Sequence, residues 1–168
     1  MTMIETPQQY QTRLFGLVAD RDPLAVLAAT PGRLRELVSG KPADALARKP
    51  APDRWSVVEI VAHLADAEIV GAFRFRAVLG QPGTDLLAYD QDRWAEACRY
   101  QDSDIETSLD TFRALRGATL SLLRRISPGQ LEHFGIHSER GRESVWDMIR
   151  LYAGHDLNHL GQIERLVS

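Results

Sequence analysis

An apolar stripe of helical period fills one stretch of the chain: Val57, Ile60, Val61, Leu64, Ala67, Gly71 and Phe75, continuing to Leu79 before Gly80 and Pro82 stop it. Residues three and four apart share a helix face, so this spacing predicts one long helix with a single buried side. Ser56 with Glu59 three residues on is a capping box, in which each side chain satisfies the other's backbone donor. A second stripe (Ile105, Leu109, Phe112, Leu115, Thr119, Leu122, Ile126) predicts a helix from about Asp104 to Ile126, ended by Ser127-Pro128-Gly129. A third follows another capping-box pair, Ser144 with Asp147. It reads Met148, Tyr152, His155, His159, Gln162 or Ile163, and Leu166. Several long amphipathic helices with a long connection predict an all-α helical bundle, with ligand sites in its core.

The N-terminal third is more broken. Pro7 to about Ala19 reads as helix, Asp22-Pro23 opens a second piece, and Thr30-Pro31 opens a third that ends near Gly40. Lys49-Pro50-Ala51-Pro52 is a stiff linker that delivers Trp55 to the mouth of the next helix. Between Gly80 and Asp104 a long connection carries Tyr89-Asp90 and Trp94, with a short helix expected from Gln91 to Cys98. Phe134 to His137 is the one extended stretch expected.

At 168 residues the chain is near the commonest domain size, and 44% hydrophobic content supports one core, so a single domain over 1–168 is expected. Lys plus Arg is 20 against 23 Asp plus Glu, and the basic residues are scattered, which offers no nucleic-acid footprint. Cys98 is the single cysteine, so no intrachain disulfide forms and a reducing cytoplasm is the expected compartment. Met1 to Glu5 has no basic or apolar export pattern, and no run approaches ~18 apolar residues. Neither export nor a membrane span is expected.

The chemistry gathers on histidine. His155 and His159 lie four apart on the last stripe, and His63 lies on the edge of the first. A lone inward histidine is more often a satisfied core residue than a ligand. Two adjacent buried imidazoles need two sets of partners, and a shared metal serves both at once; a third from a facing helix completes a three-histidine set. Such a set leaves a divalent ion its full charge and an open position, which is the catalytic pattern. An ion so held brings bound water to a pKa of about 7 or holds a thiol as thiolate. Ligating imidazoles usually donate their other N–H to a second group. Asp66 one turn from His63, Asp156 beside His155, and Gln162 three after His159 are candidates. His133 and His137 flank a loop and read as surface residues without a role.

Competing templates fail. The peptidase motif H-E-x-x-H needs a glutamate where Asp156 stands. Di-iron bundles need paired E-x-x-H motifs, whereas Glu59 is four residues before His63 and has no second copy. No phosphate-cradling glycine loop is present, and Gly80-Gln81-Pro82-Gly83 is a turn. Cys98, beside Arg99, has no convincing base.

The segment Trp55-Ser56-Val57-Val58-Glu59-Ile60-Val61-Ala62-His63-Leu64-Ala65-Asp66-Ala67-Glu68 resembles the second-helix signature of the DinB/YfiT-like superfamily. His155-Asp156-Leu157-Asn158-His159-Leu160-Gly161-Gln162-Ile163 resembles its fourth. Arg74-Phe75-Arg76, Tyr89-Asp90 and Trp94-Ala95-Glu96 are similar to its bacillithiol-transferase-like branch, and the likeness runs from about Asp22 onward. The resemblance implies a four-helix bundle with up-down-down-up connectivity and a long crossover. It implies His63, His155 and His159 as ligands of a divalent metal, zinc or nickel first, manganese or iron otherwise, and a homodimer. It also implies thiol S-transfer or a related hydrolysis on a small-molecule substrate, one partner being a low-molecular-weight thiol. Tyr89, Asp90 and Arg74 would then shape or charge the pocket, the alternative for them being loop packing and a surface ion pair. The rival reading is a non-catalytic metal- or small-molecule-binding bundle, serving as sensor or dimerisation module.

Overall fold

The structure, a computed structural model, describes residues 5–168; the rest of the stretch read for an export signal, residues 1–4, lies outside it. Helix α1 spans Pro7–Leu17 behind a Thr6–Gln9 capping box. Helix α2 spans Pro23–Val38, with Asp22 as its N-cap and proline at its first turn. A short α3 (Ala43–Ala47) precedes the proline linker. The long α4 (Val57–Gly80) starts on the Ser56–Glu59 capping box. The connection after it holds strand β1 (Asp85–Leu86) and α5 (Gln91–Ala97), then leads to α6 (Ile105–Leu123), capped by Asp104. Strands β2 (Phe134–His137) and β3 (Gly141–Ser144) precede α7 (Val145–Val167), whose capping box is Ser144 with Asp147. All three long stripes read in the sequence became helices, and both capping boxes formed as read.

Helices α2, α4, α6 and α7 make the bundle. Helices α4 and α2 each pack on both α6 and α7. One core cluster joins Leu34 and Val38 at the end of α2, Val57 to Leu64 at the start of α4, Leu109 and Phe112 at the start of α6, and Leu160 and Ile163 late in α7. The other joins Leu27, Phe75, Val78, Leu120, Leu123, Met148 and Ile149. Those memberships make α4 and α6 parallel to each other and antiparallel to α2 and α7. The order is therefore up, down, down, up, and the parallel pair needs the long crossover between α4 and α6. Helix α1 lies outside this square against α7. It comes close because Gly154 has no side chain: a Cβ there would sit 2.3 Å from the Leu14 carbonyl oxygen. No helix among the described residues is long and apolar enough to cross a membrane.

Three local readings change. Thr30-Pro31 does not open a new helix, because Pro31 lies inside α2. Proline has no N–H for the carbonyl four residues back, Leu27. That carbonyl instead accepts a bond from Arg116 Nη1 at 2.9 Å, so the break in the ladder is repaired from α6. The extended stretch Phe134 to His137 is not alone: β2 pairs antiparallel with β3 and parallel with β1. Finally, Arg116 and Leu120 on α6 are buried where Leu115 and Leu122 were expected to lead.

Candidate metal centre

His63 comes from the second turn of α4, and His155 and His159 from adjacent turns of α7. Because the two helices run antiparallel, all three meet. His63 Nε2 lies 3.0 Å from His155 Nε2, which lies 3.1 Å from His159 Nε2. One ligand atom from each lies within 4.8 Å of the others. Tetrahedral coordination at ~2 Å per Zn–N bond separates two ligand nitrogens by about 3.3 Å, close to what the rings present.

Protonation favours the same reading. Burial pulls the His63 ring down to about 3, with the nearby His159 ring acting the same way. Burial holds His159 at about 4 and keeps His155 well below the ordinary range. All three are neutral at pH 7, as metal ligands must be. The Gln162 Oε1 atom lies 2.8 Å from His159 Nδ1 and can only accept, which puts the ring proton on Nδ1 and leaves Nε2 a bare lone pair. His63 Nδ1 is buried with no partner. Three neutral rings facing one another cannot all be satisfied by protons, whereas one cation satisfies every Nε2, so the residues fit a divalent ion.

Of the other candidates for support, Asp66 accepts a 2.6 Å bond from the Tyr100 hydroxyl and leaves His63 alone. Asp156 turns away from His155 into the bundle, where it takes Arg116 at 2.6 and 3.0 Å. Glu68 takes the same guanidinium at 2.7 and 3.0 Å. With Leu27 O, all five N–H groups of Arg116 are used, and one side chain ties α2, α4, α6 and α7 together. Sequence reading missed this clamp.

A cavity of about 290 Å³ opens beside the rings. His63, His155, Ala67 and Tyr152 form its inner end; Tyr10 and Leu14 of α1, Tyr89, Arg74 and Arg140 complete it. Gly71 admits the Tyr152 ring across α4, since a Cβ there would lie 2.7 Å from it. Tyr89 and Arg74 are thus cavity residues, whereas Asp90 caps α5 through the Asp92 and Arg93 N–H groups and does not line it. His159 and Gln162 face a second cleft of about 520 Å³, with Trp55, Arg54 and Arg165; Gln91 borders both openings. His137, expected at the surface, is 2% exposed and packs against Arg74. Pairing of β2 with both β1 and β3 folds it inward, an effect of partners distant in sequence.

A model of the DinB superfamily matches residues 27–163. The chain belongs to the DinB superfamily. A protein of Oceanobacillus iheyensis provisionally named as a metal-dependent hydrolase is 34% identical over 112 residues, covering 67% of this chain and 64% of that protein. YfiT of Bacillus subtilis, provisionally named likewise, is 26% identical over 145 residues, 85% of this chain and 81% of YfiT. The solved structure of YfiT, a four-helix bundle of unusual topology, superposes with a TM-score of 0.80 over 99% of this chain and 89% of YfiT at 23% identity. This DinB chain therefore shares the fold, and its relatives carry a metal-dependent name. The family match starts after α1, which supplies Tyr10 and Leu14 to the cavity.

Proposed function

We propose that this chain is a metal-dependent enzyme that joins a low-molecular-weight thiol to a small electrophile, or hydrolyses a related substrate with water in the thiol's place. The observation that carries the reading is the meeting of three imidazole nitrogens, with His63 and His155 lining one cavity and His159 the cleft beside it. A divalent ion held by His63, His155 and His159 supplies Lewis acidity and an open position for the attacking thiol or water. Gln162 fixes the His159 tautomer so that Nε2 faces inward. Burial raises the Tyr10 phenol to about 12 and pushes Tyr89 and Tyr152 up as well, so the cavity hydroxyls stay protonated and act as donors. The openings on either side of the histidine cluster favour two substrates over one, and hence thiol transfer over hydrolysis.

Metal content by mass spectrometry, on protein purified without a nickel column, tests the reading. Zinc or nickel is expected, and His155→Ala should lose it while the far-ultraviolet circular dichroism stays helical. Conjugation of cysteine to monochlorobimane, with and without chelator, then separates transfer from hydrolysis of p-nitrophenyl acetate. A chain that refuses zinc, nickel and manganese at neutral pH would end the proposal. Chelator-insensitive turnover of both probes would end its catalytic part.

A further inference from the structure

We propose that the cavity beside the histidines selects a small monocarboxylate and holds its charged end on Arg74, with the reacting group at the histidine end. This rests on the metal-dependent reading but concerns the opposite end of the same cavity.

Arg74 is 7% exposed, and it lines the cavity. Its polar neighbours are the Leu87 carbonyl, which accepts from Nη2, the Tyr152 hydroxyl, and His137 Nε2 at 3.5 Å. None brings a negative charge. His137 cannot serve as an acceptor, because its Nδ1 already accepts the Glu139 N–H at 3.2 Å, which puts the proton of the neutral ring on Nε2. Burial, with Arg140 and Arg74 nearby, pulls His137 down to about 4, so the ring is neutral at pH 7. Arg140 on the same wall is already paired with Glu143. Among the described residues no carboxylate pairs with Arg74. A buried charge without a counter-ion opposes folding unless something else requires it, and a planar guanidinium matches a carboxylate through two parallel N–H···O bonds.

Geometry gives the ligand its shape. His63 and Arg74 are eleven residues apart, three turns along one face of α4, or about 16 Å along the axis. Both side chains lean toward the N-terminus, and the longer Arg74 side chain spans part of that separation to meet the Tyr152 hydroxyl. Ala67 and the Tyr152 ring lie between them on the cavity wall. The ligand is therefore a carboxylate joined to its reactive group by a short, largely apolar chain. Glu5, paired with Arg13, and Glu139 also line the cavity, and they repel the single charge of a carboxylate less than the nearly two charges of a phosphate.

Calorimetric titration of the full chain with hexanoate, hexanamide and inorganic phosphate tests this. Hexanoate should bind at least tenfold more tightly than either of the others. Arg74→Gln should lose that preference while metal content by mass spectrometry is unchanged, and Arg74→Lys should recover part of it. Equal binding of hexanoate and hexanamide, a preference for phosphate, or undiminished hexanoate affinity in Arg74→Gln would overturn the proposal. Should Arg74→Gln fail to fold, the comparison of the three probes on the unaltered chain decides alone. Carboxylate binding by a chain that takes up no metal sinks the metal reading and leaves this one standing. Metal uptake with no charge preference does the reverse.

Discussion

Arg116 and Arg74 are both buried, one at the centre of the bundle and one on the cavity wall. Arg116, 2% exposed, meets two carboxylates and a carbonyl with all five of its N–H groups. Burial alone would lower its pKa, but Asp156 and Glu68 drive it upward, so it is a permanent cation. Arg74 has a carbonyl, the Tyr152 hydroxyl and a neutral ring, and no carboxylate among the described residues. The first arrangement is closed and has nothing left to offer a ligand; the second is open. The same contrast divides the other polar groups: Asp156 is consumed by the clamp, whereas the three Nε2 atoms next to it face only one another. One half of the buried polar structure holds helices together, and the other half keeps its bonding capacity free.

Breaking the closed side should have the largest effect. Arg116→Met leaves Glu68 and Asp156 buried without a cation and orphans the Leu27 carbonyl. Removing one member of a buried ion pair costs about 3–5 kcal/mol, and here two acids share that member. Urea unfolding followed by circular dichroism reads the loss. A cost below about 1 kcal/mol would mean that water enters the clamp, and the distinction between the two arginines would disappear.

Acid sharpens the contrast next. His63 is held near 3, and His137 and His159 near 4, against about 6.5 in an unfolded chain. Between those values the unfolded state binds more protons, so the stability of the metal-free protein rises with pH from about 4 to about 6.5 and levels off above. Glu68 works against this trend, because burial raises its pKa and its contribution fades as pH increases. Urea midpoints near pH 5 and near pH 7.5 measure the balance, and the lower pH should give the lower midpoint. Replacing His63 and His159 by asparagine should flatten the slope; an unchanged slope would place its origin outside the cluster.

How much of this was readable beforehand follows from the range of the interactions. Ser56 with Glu59 and Ser144 with Asp147 act over three residues, so the starts of α4 and α7 were legible. The stripe periods supplied the helices and put His63, His155 and His159 on inward faces. Arg116 was hidden because its partners lie 40, 48 and 89 residues away, and an arginine beside Leu115 reads as the solvated edge of a stripe. Asp156 misled for the same reason: adjacency to His155 in sequence points its side chain to another face of the helix. Strand β3 was missed because Gly141 to Ser144 has no alternation, and its pairing partner decides it.

A smaller effect tests how α1 seals the open side. Gly154→Ala would put a Cβ 2.3 Å from the Leu14 carbonyl oxygen, a backbone atom that cannot swing aside. Helix α1 must shift outward, at about 1–3 kcal/mol for an overpacked contact. Hydrogen exchange should quicken in Pro7–Leu17 and leave α4 and α6 as they were. Equal loosening of α6 would mean that α1 and the clamp are not separable.

Pro31→Ala is the finest probe. At an interior helix site proline ordinarily costs about 3 kcal/mol relative to alanine, so removing it should stabilise the fold by a comparable amount. Here the carbonyl that the missing N–H would have engaged is already bonded to Arg116. Alanine returns a donor to a group that is satisfied, while restoring freedom to the unfolded chain worth about 0.4–1 kcal/mol. Relief of the ring's crowding against that carbonyl opposes the freedom restored to the unfolded chain, and the urea midpoint should move by less than about 1 kcal/mol equivalent. A gain near 3 kcal/mol would show that Arg116 does not compensate for the proline and that the clamp needs only its two carboxylates. Combined with Arg116→Met, the same substitution should become clearly favourable, because only then does the Leu27 carbonyl lack a partner.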